Sequence, residues 1–190
     1  KIAKGKSYGL ETIGLNNIVH FFEHNGSLFT VSEFQSRDNS VMAVEAVTRI
    51  EVITRSFLVK KYSMDGEFEQ ALVIPRHVYV KSADESYNKY SNMIEHIFTV
   101  EGNNMFMIMR DPLSYYEGEN SADMYVKKED ITKKYAVSLI KVSLENMSYS
   151  REKLWTNDDH TIVTAPCQSK LVEPKKIVVI VDSEYKLMNI

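Results

Sequence analysis

Cysteine is nearly missing from this chain: Cys167 stands alone among 190 residues. A lone thiol excludes an internal disulfide framework, and no Cys/His cluster lies at zinc spacing, so burial has to hold the fold together. That composition fits a reducing compartment and predicts a location in the cytoplasm, inside a host cell or in a virion. Proline and glycine are also sparse, at 4 and 7 residues. No linker rich in them, no internal repeat and no low-complexity tract divides the sequence, so a single domain over 1–190 is expected. Long apolar runs are missing too. Ile177-Val178-Val179-Ile180-Val181 falls far short of the ~20 residues that cross a bilayer as a helix. No signal-peptide core opens the chain, and a soluble protein without membrane contact is expected. Nor is there an excess of one charge. At a net −3, nothing draws the whole molecule to a phosphate backbone, and nucleic-acid binding would need a local patch.

What is present is ordinary in amount and biased in kind. Hydrophobic residues make up 44% and charged residues 26%, which is the balance of a globular chain and excludes a disordered or fibrous one. Lys, Asn, Ile, Tyr, Met and Phe are frequent. The bias is similar to that of proteins encoded by AT-rich genomes, many large bacteriophages among them, and it motivates the expectation of a phage or viral origin.

Two dipeptides, Asn25-Gly26 and Asp65-Gly66, carry the strongest structural signal. Each lies between runs of alternating apolar and polar residues, and Asn-Gly or Asp-Gly supplies the two positive-φ positions of a type I′ hairpin turn. With Asn25-Gly26 as a two-residue loop, His24 faces Ser27, Phe22 faces Phe29 and His20 faces Val31, giving one apolar, aromatic face. In the second hairpin Phe57 opposes Ile74, Val59 opposes Leu72 and Lys61 opposes Gln70. Leu58 and Val73 lie on its reverse face, so the base of this pair is apolar on both sides. Pro75 cannot donate to a ladder and is expected to end the strand, with His77 to Val80 resuming it.

One helix is expected. Ser82 and Glu85 form a capping box, Tyr87, Tyr90, Ile94, Ile97 and Phe98 recur at helical spacing, and Gly102 supplies a stop. This predicts an amphipathic helix over about 85–100. Met105, Met107 and Met109 alternate on a buried strand, a loop carries Tyr115 and Tyr116, and Met124-Tyr125-Val126 reads as a short strand. A helical turn near Glu129 then leads into a strand through Val137 and Leu139. The segment around Trp155 is polar, and two closing strands open at His160 and Lys176. The fold class is therefore a β-dominated α+β domain, with antiparallel hairpins forming a sheet or partial barrel and one helix packed on it.

Several constellations bear on chemistry. His77 and His160 each open a strand-like tetrapeptide, His77-Val78-Tyr79-Val80 and His160-Thr161-Ile162-Val163. The arrangement looks like the paired motifs of two-histidine phosphoesterases, in which one imidazole is general base and the other general acid. Here Tyr79 and Ile162 stand where that pattern places Ser or Thr, and Thr161 points to the face opposite His160, so a phosphate would find no hydroxyl. His20, Glu23 and His24 are compact in sequence, but a strand puts Glu23 on the other face from the two histidines, and zinc needs three converging ligands. Asp182, Asp158-Asp159 and the Glu117/Glu119 pair read as solvated loop charges. Lysine pairs at Lys60-Lys61, Lys127-Lys128, Lys133-Lys134 and Lys175-Lys176, near tyrosines, resemble a single-strand binding surface, yet acids such as Glu129, Asp130 and Glu173 alternate with them.

No catalytic set, cofactor site or metal site emerges. The leading expectation is a non-enzymatic binding or assembly protein that meets a protein partner or itself, with Tyr115, Tyr116 and Trp155 as candidate partner-binding aromatics. A phosphodiester-acting enzyme using His77 and His160 is one alternative, and a single-stranded nucleic-acid binder using the lysine pairs is another.

Overall fold

Asn25 and Gly26 both take left-handed backbone, at φ 47° and 71°, and the chain reverses there in two residues. In a computed structural model the described residues are 17–42, 47–83, 96–117, 129–131, 134–156, 170–173, 176–181 and 184–189. Side chains are described over 17–35, 52–80, 96–117, 129–131 and 134–156.

The strands run in the order β1 (Asn17–His24), β2 (Ser27–Met42), β3 (Val47–Ser63), β4 (Phe68–Ala83), β5 (His96–Glu101) and β6 (Asn104–Asp111). A 3-10 turn (Leu113–Tyr116) follows. Then come β7 (Glu129–Asp130), β8 (Ala136–Ser143), β9 (Ser148–Thr156), β10 (Lys170–Glu173), β11 (Lys176–Val181) and β12 (Glu184–Asn189). They make three sheets, in the orders β1-β2-β3-β4-β7, β5-β6-β8-β9 and β10-β11-β12. Every pairing is antiparallel except the short parallel contact of β7 with β4.

The β-dominated class therefore holds, and the expected cross-strand pairs form in both hairpins. Phe22 pairs with Phe29 and His20 with Val31, while Phe57 pairs with Ile74 and Val59 with Leu72. The second turn differs in kind. Gly66 alone is left-handed there, at φ 85°, and its N–H donates to the Ser63 carbonyl at 3.0 Å while Ser63 N–H donates to Glu67 O at 2.9 Å. That is a type I turn closed by a glycine bulge, a three-residue loop in which Asp65 needs no positive φ. At the first turn positive φ is obligatory. A Cβ on Gly26 would meet nothing within 4 Å, so Gly26→Ala is expected to lower stability through backbone strain alone, by about 1 kcal/mol in chemical denaturation.

Three expectations are corrected. The amphipathic helix over 85–100 does not form where it is described: residues 96–101 are strand β5, and 84–95 lie outside the described residues. Ile97 and Thr99 are buried while His96, Phe98 and Val100 are half-buried, so the period is two, and Gly102 (φ 52°) turns the β5–β6 hairpin instead of stopping a helix. Pro75 does not end its strand. β4 runs through it because Pro75 and Arg76 stand opposite the single residue Ser56, at a bulge where the missing N–H is not required. Finally, the helical turn near Glu129 does not form, because Glu129 and Asp130 are extended beside Val78 and Tyr79. The polar segment around Trp155, which carried no assignment, is strand β9. The 124–126 and 160–164 strands lie outside the described residues.

The core forms where the five- and four-stranded sheets meet. Phe29, Val31, Phe57, Val59 and Ile74 of the first pack with Met105, Met107, Met109, Ile140 and Val142 of the second. Alternation sends Ile108 and Val137 to the other face of the four-stranded sheet, where they join Val52, Val78, Val80, Ile131 and Tyr135 in a second apolar cluster. That sheet is thus buried on both faces, and the methionine row is core.

Candidate functional site

Two bulges fall at one level of the five-stranded sheet, between β2 and β3 at Glu33/Gln35 and between β3 and β4 at Arg55/Phe57. Bulges re-aim side chains. At this level Glu33, Thr54 and Arg76 all turn inward, and a charged cluster occupies the interior.

The Arg76 guanidinium is fully buried. Its Nη1 donates to Thr54 Oγ1 at 2.9 Å and to Glu33 Oε1 at 3.2 Å, and its Nη2 donates to the Arg110 carbonyl at 2.9 Å. Its Nε lies 3.4 Å from Asp111 Oδ1, while Arg151 Nε lies 3.4 Å from the other carboxylate oxygen. Arg151 Nη2 donates to Pro75 O at 2.7 Å. Two guanidinium groups and two carboxyl groups thus join β2, β3 and β4 of one sheet to β6 and β9 of the other. Burial pushes the Glu33 carboxyl up to about 7, against the opposing pull of the Arg76 charge and hydrogen bonds from Arg76 and Thr54. None of these four charged side chains is more than 9% exposed. The cluster therefore acts on the fold, fixing how the sheets register, and offers no group to a substrate in solution.

Two histidines form a second contact between the sheets. His20 Nε2 of β1 lies 2.8 Å from His96 Nε2 of β5. His20 stacks on Phe98 with ring centroids 3.8 Å apart, and Phe57 meets His96 edge-on at 5.0 Å. Burial, then the neighbouring His20, then Arg76, holds the His96 imidazole down to about 3, and burial lowers His20 as well.

A cleft of about 270 Å³ opens at the hairpin tips between His24, Asn25, Lys61, Asn103 and Glu145. Its polar groups largely satisfy one another. His24 Nε2 is 3.2 Å from Asn103 Oδ1, which also accepts from Asn25 Nδ2 at 3.0 Å.

The residues singled out from sequence are dispersed. His20 meets His96, His24 meets Asn103, and Glu23 Oε1 accepts from Gly26 N–H at 2.9 Å. These three do not converge, and no group of three potential metal ligands occurs among the described residues. His77 is half-buried, and its backbone N–H donates to the Tyr115 hydroxyl at 3.1 Å. His160, its proposed partner, lies outside the described residues, as do Glu119, Asp158, Asp159 and Asp182.

Tyr115 is buried, at 4% exposure, with Arg151 over its ring at 5.0 Å. Tyr116 is half-buried and its hydroxyl bonds that of Ser138. Burial, reinforced by the Asp111 charge, pushes both phenols well above their ordinary range. Trp155 is half-buried against the second apolar cluster. Tyr115 serves the interior in this structure, while Tyr116 and Trp155 are half-buried and keep part of their surface exposed. Lys61 pairs with Glu69 at 3.1 Å. Lys127, Lys128, Lys133 and Lys175 lie outside the described residues.

Accessible apolar surface lies elsewhere, on the outer face of the five-stranded sheet. Strand pairing sets three rows across it: Ile18-Ser32-Leu58-Val73, Phe21-Thr30-Lys60-Ala71 and Glu23-Leu28-Tyr62-Phe68. Ile18 is 63% exposed, Phe21 64% and Phe68 50%, with Met64 at the adjoining turn 57% exposed. Among the described strands β1 is also a sheet edge. This surface was half-legible: the reverse-face Leu58 and Val73 were visible as apolar, whereas placing Ile18 and Phe21 beside them needed the pairing of β2 with β3.

Comparison with protein-family models, with curated proteins and with solved structures finds no match. The functional reading rests on the geometry of the chain itself.

Proposed function

We propose that this chain is a non-enzymatic binding or assembly protein, and that its docking surface is the outer face of the five-stranded sheet along β1. The observation that carries this reading is the exposure of Ile18, Phe21 and Phe68 on a face four strands wide. Contiguous apolar area on a sheet face is a feature of interaction sites, and strands lie about 4.8 Å apart, so four of them span about 14 Å. A second copy of the chain is the partner we favour. β1 carries neither the lysine nor the proline that commonly guards an edge strand, and the net charge of −3 opposes self-association weakly.

Light scattering coupled to size-exclusion chromatography tests it over a wide range of loading concentrations. The unmodified chain is expected to exceed the monomer mass, and Phe21→Asp with Ile18→Ser to elute as a folded monomer, since both side chains are already exposed. A chain that stays monomeric at every concentration removes the second copy as partner. A double variant that associates as strongly as its parent removes this face.

A further inference from the structure

We propose that His20 and His96 form an acid-sensitive clasp that fastens β1 to β5 along one side of the two packed sheets and releases it when the pair takes up a second proton. Each strand is the terminal member of its sheet among the described strands, so the contact closes an edge of the core. At a separation of 2.8 Å between the two Nε2 atoms, one ring donates and the other accepts. A single proton can lie between them. A doubly protonated pair would aim two N–H groups and two positive charges at each other across a half-buried contact.

Among the described residues, no counter-charge that is not already engaged faces the pair. The rings facing the pair are Phe98, stacked on His20 at 3.8 Å, and Phe57, edge-on to His96 at 5.0 Å. The strand partners are Val31 opposite His20 and Met109 opposite His96. Of the charged groups packed around them, Arg76 of β4 bears on His96 with the wrong sign. Its counter-charges, Glu33 of β2 and Asp111 of β6, are already engaged by Arg76, and Asp111 also by Arg151 of β9. His24, further along β1, is turned to Asn103. The imidazole of His96 is held down to about 3 and that of His20 is lowered while the clasp is closed.

Opening returns both rings to water, where imidazole titrates near its ordinary value of 6.5. Acid therefore favours the open form through proton uptake, and for one fully released histidine the opening constant rises about 25-fold between pH 7 and pH 5. The second ring adds to this. Separation of β1 from β5 would bare Phe98 together with Phe22, whose rings meet at 5.5 Å across the contact.

Hydrogen exchange on the full chain, resolved to individual amides and expressed as protection factors, reads the device directly. Between pH 7 and pH 5 the protection of β1 amides is expected to fall at least tenfold more than that of β8 amides in the core. His20→Phe, which keeps a ring on Phe98 and leaves His96 as the one ring that gains a proton on opening, is expected to reduce this selective loss several-fold. Should that variant fail to fold, His96→Leu provides the same comparison, and the unmodified chain alone remains decisive. β1 and β8 losing protection in parallel, or β1 showing no pH dependence beyond that of β8, would overturn the clasp.

Discussion

Replacing Arg76 with Met is expected to lower folding stability by about 3–5 kcal/mol, the range seen when one member of a buried charge set is removed. The side chain is fully buried, and four separate contacts depend on it: Glu33, Thr54, the Arg110 carbonyl and Asp111. Met restores comparable bulk against Phe57, whose ring lies 5.8 Å from the guanidinium carbon, so packing is roughly kept and the loss is electrostatic. The Glu33 carboxyl, the Thr54 hydroxyl and the Arg110 carbonyl all lose this donor in a site that water does not reach. Arg76→Lys keeps the charge but cannot aim donors in three directions at once, and its expected loss is about 2 kcal/mol. Lys61→Met serves as the reference. Its ion pair with Glu69 is partly exposed, so its removal should cost within about 0.5 kcal/mol. Urea denaturation of the three variants orders them. An Arg76→Met chain within 1 kcal/mol of its parent would sink the idea that this cluster holds the two sheets in register.

Local signals made the two hairpins legible, and long-range geometry kept the rest out of view. Asn25-Gly26 sets the register of β1 on β2, because a two-residue loop leaves one way to pair the strands, and this alone places His20 on the same face as Phe22 and Phe29. The shaft of the second hairpin was equally legible even though its turn is of another type, because a bulge between Lys61 and Tyr62 undoes the one-residue shift of the longer loop and brings Phe57 back opposite Ile74. By contrast, His96 to Val100 satisfies two periods. Ile94, Ile97 and Phe98 fit a helical stripe, while the β-branched and aromatic character of Ile97-Phe98-Thr99-Val100 fits a strand. Pairing with β6 decides for the strand, and sequence carries no record of that pairing. Arg76 was hidden for another reason. A cation inside the run from Leu72 to Val80 reads as an exposed interruption, and only the two bulges on one level turn it inward. Pro75 was the available clue, because sheets tolerate proline at bulges. The His20–His96 contact joins residues 76 apart in the chain, and neither imidazole signals the other.

Stability is expected to be nearly level between pH 4.5 and pH 6.5, because two buried groups pull in opposite directions there. Glu33 ionises at 4.5 in the unfolded chain and at about 7 in the fold. Its raised value means the fold binds the proton more tightly, so its contribution is fully present below 4.5 and is lost as pH climbs to 7, by about 3 kcal/mol at 1.4 kcal/mol per pH unit. His96 behaves in the reverse sense. It takes a proton at 6.5 when unfolded and resists it down to about 3 when folded, so the unfolded state gains as pH falls below 6.5. The lowered His20 adds to this second slope. Removing either group should expose the other. Glu33→Gln, which preserves an oxygen for the Arg76 donor, is expected to gain about 3 kcal/mol between pH 4.5 and pH 6.5 where its parent changes little. His96→Leu is expected to lose about the same amount between pH 4.5 and pH 7. Denaturant midpoints at four pH values across this window distinguish the two slopes. A parent chain whose stability rises steeply from pH 4.5 to 6.5, with Glu33→Gln following it in parallel, would show that Glu33 is already ionised beside Arg76 and that the histidines alone set the acid limit of the fold.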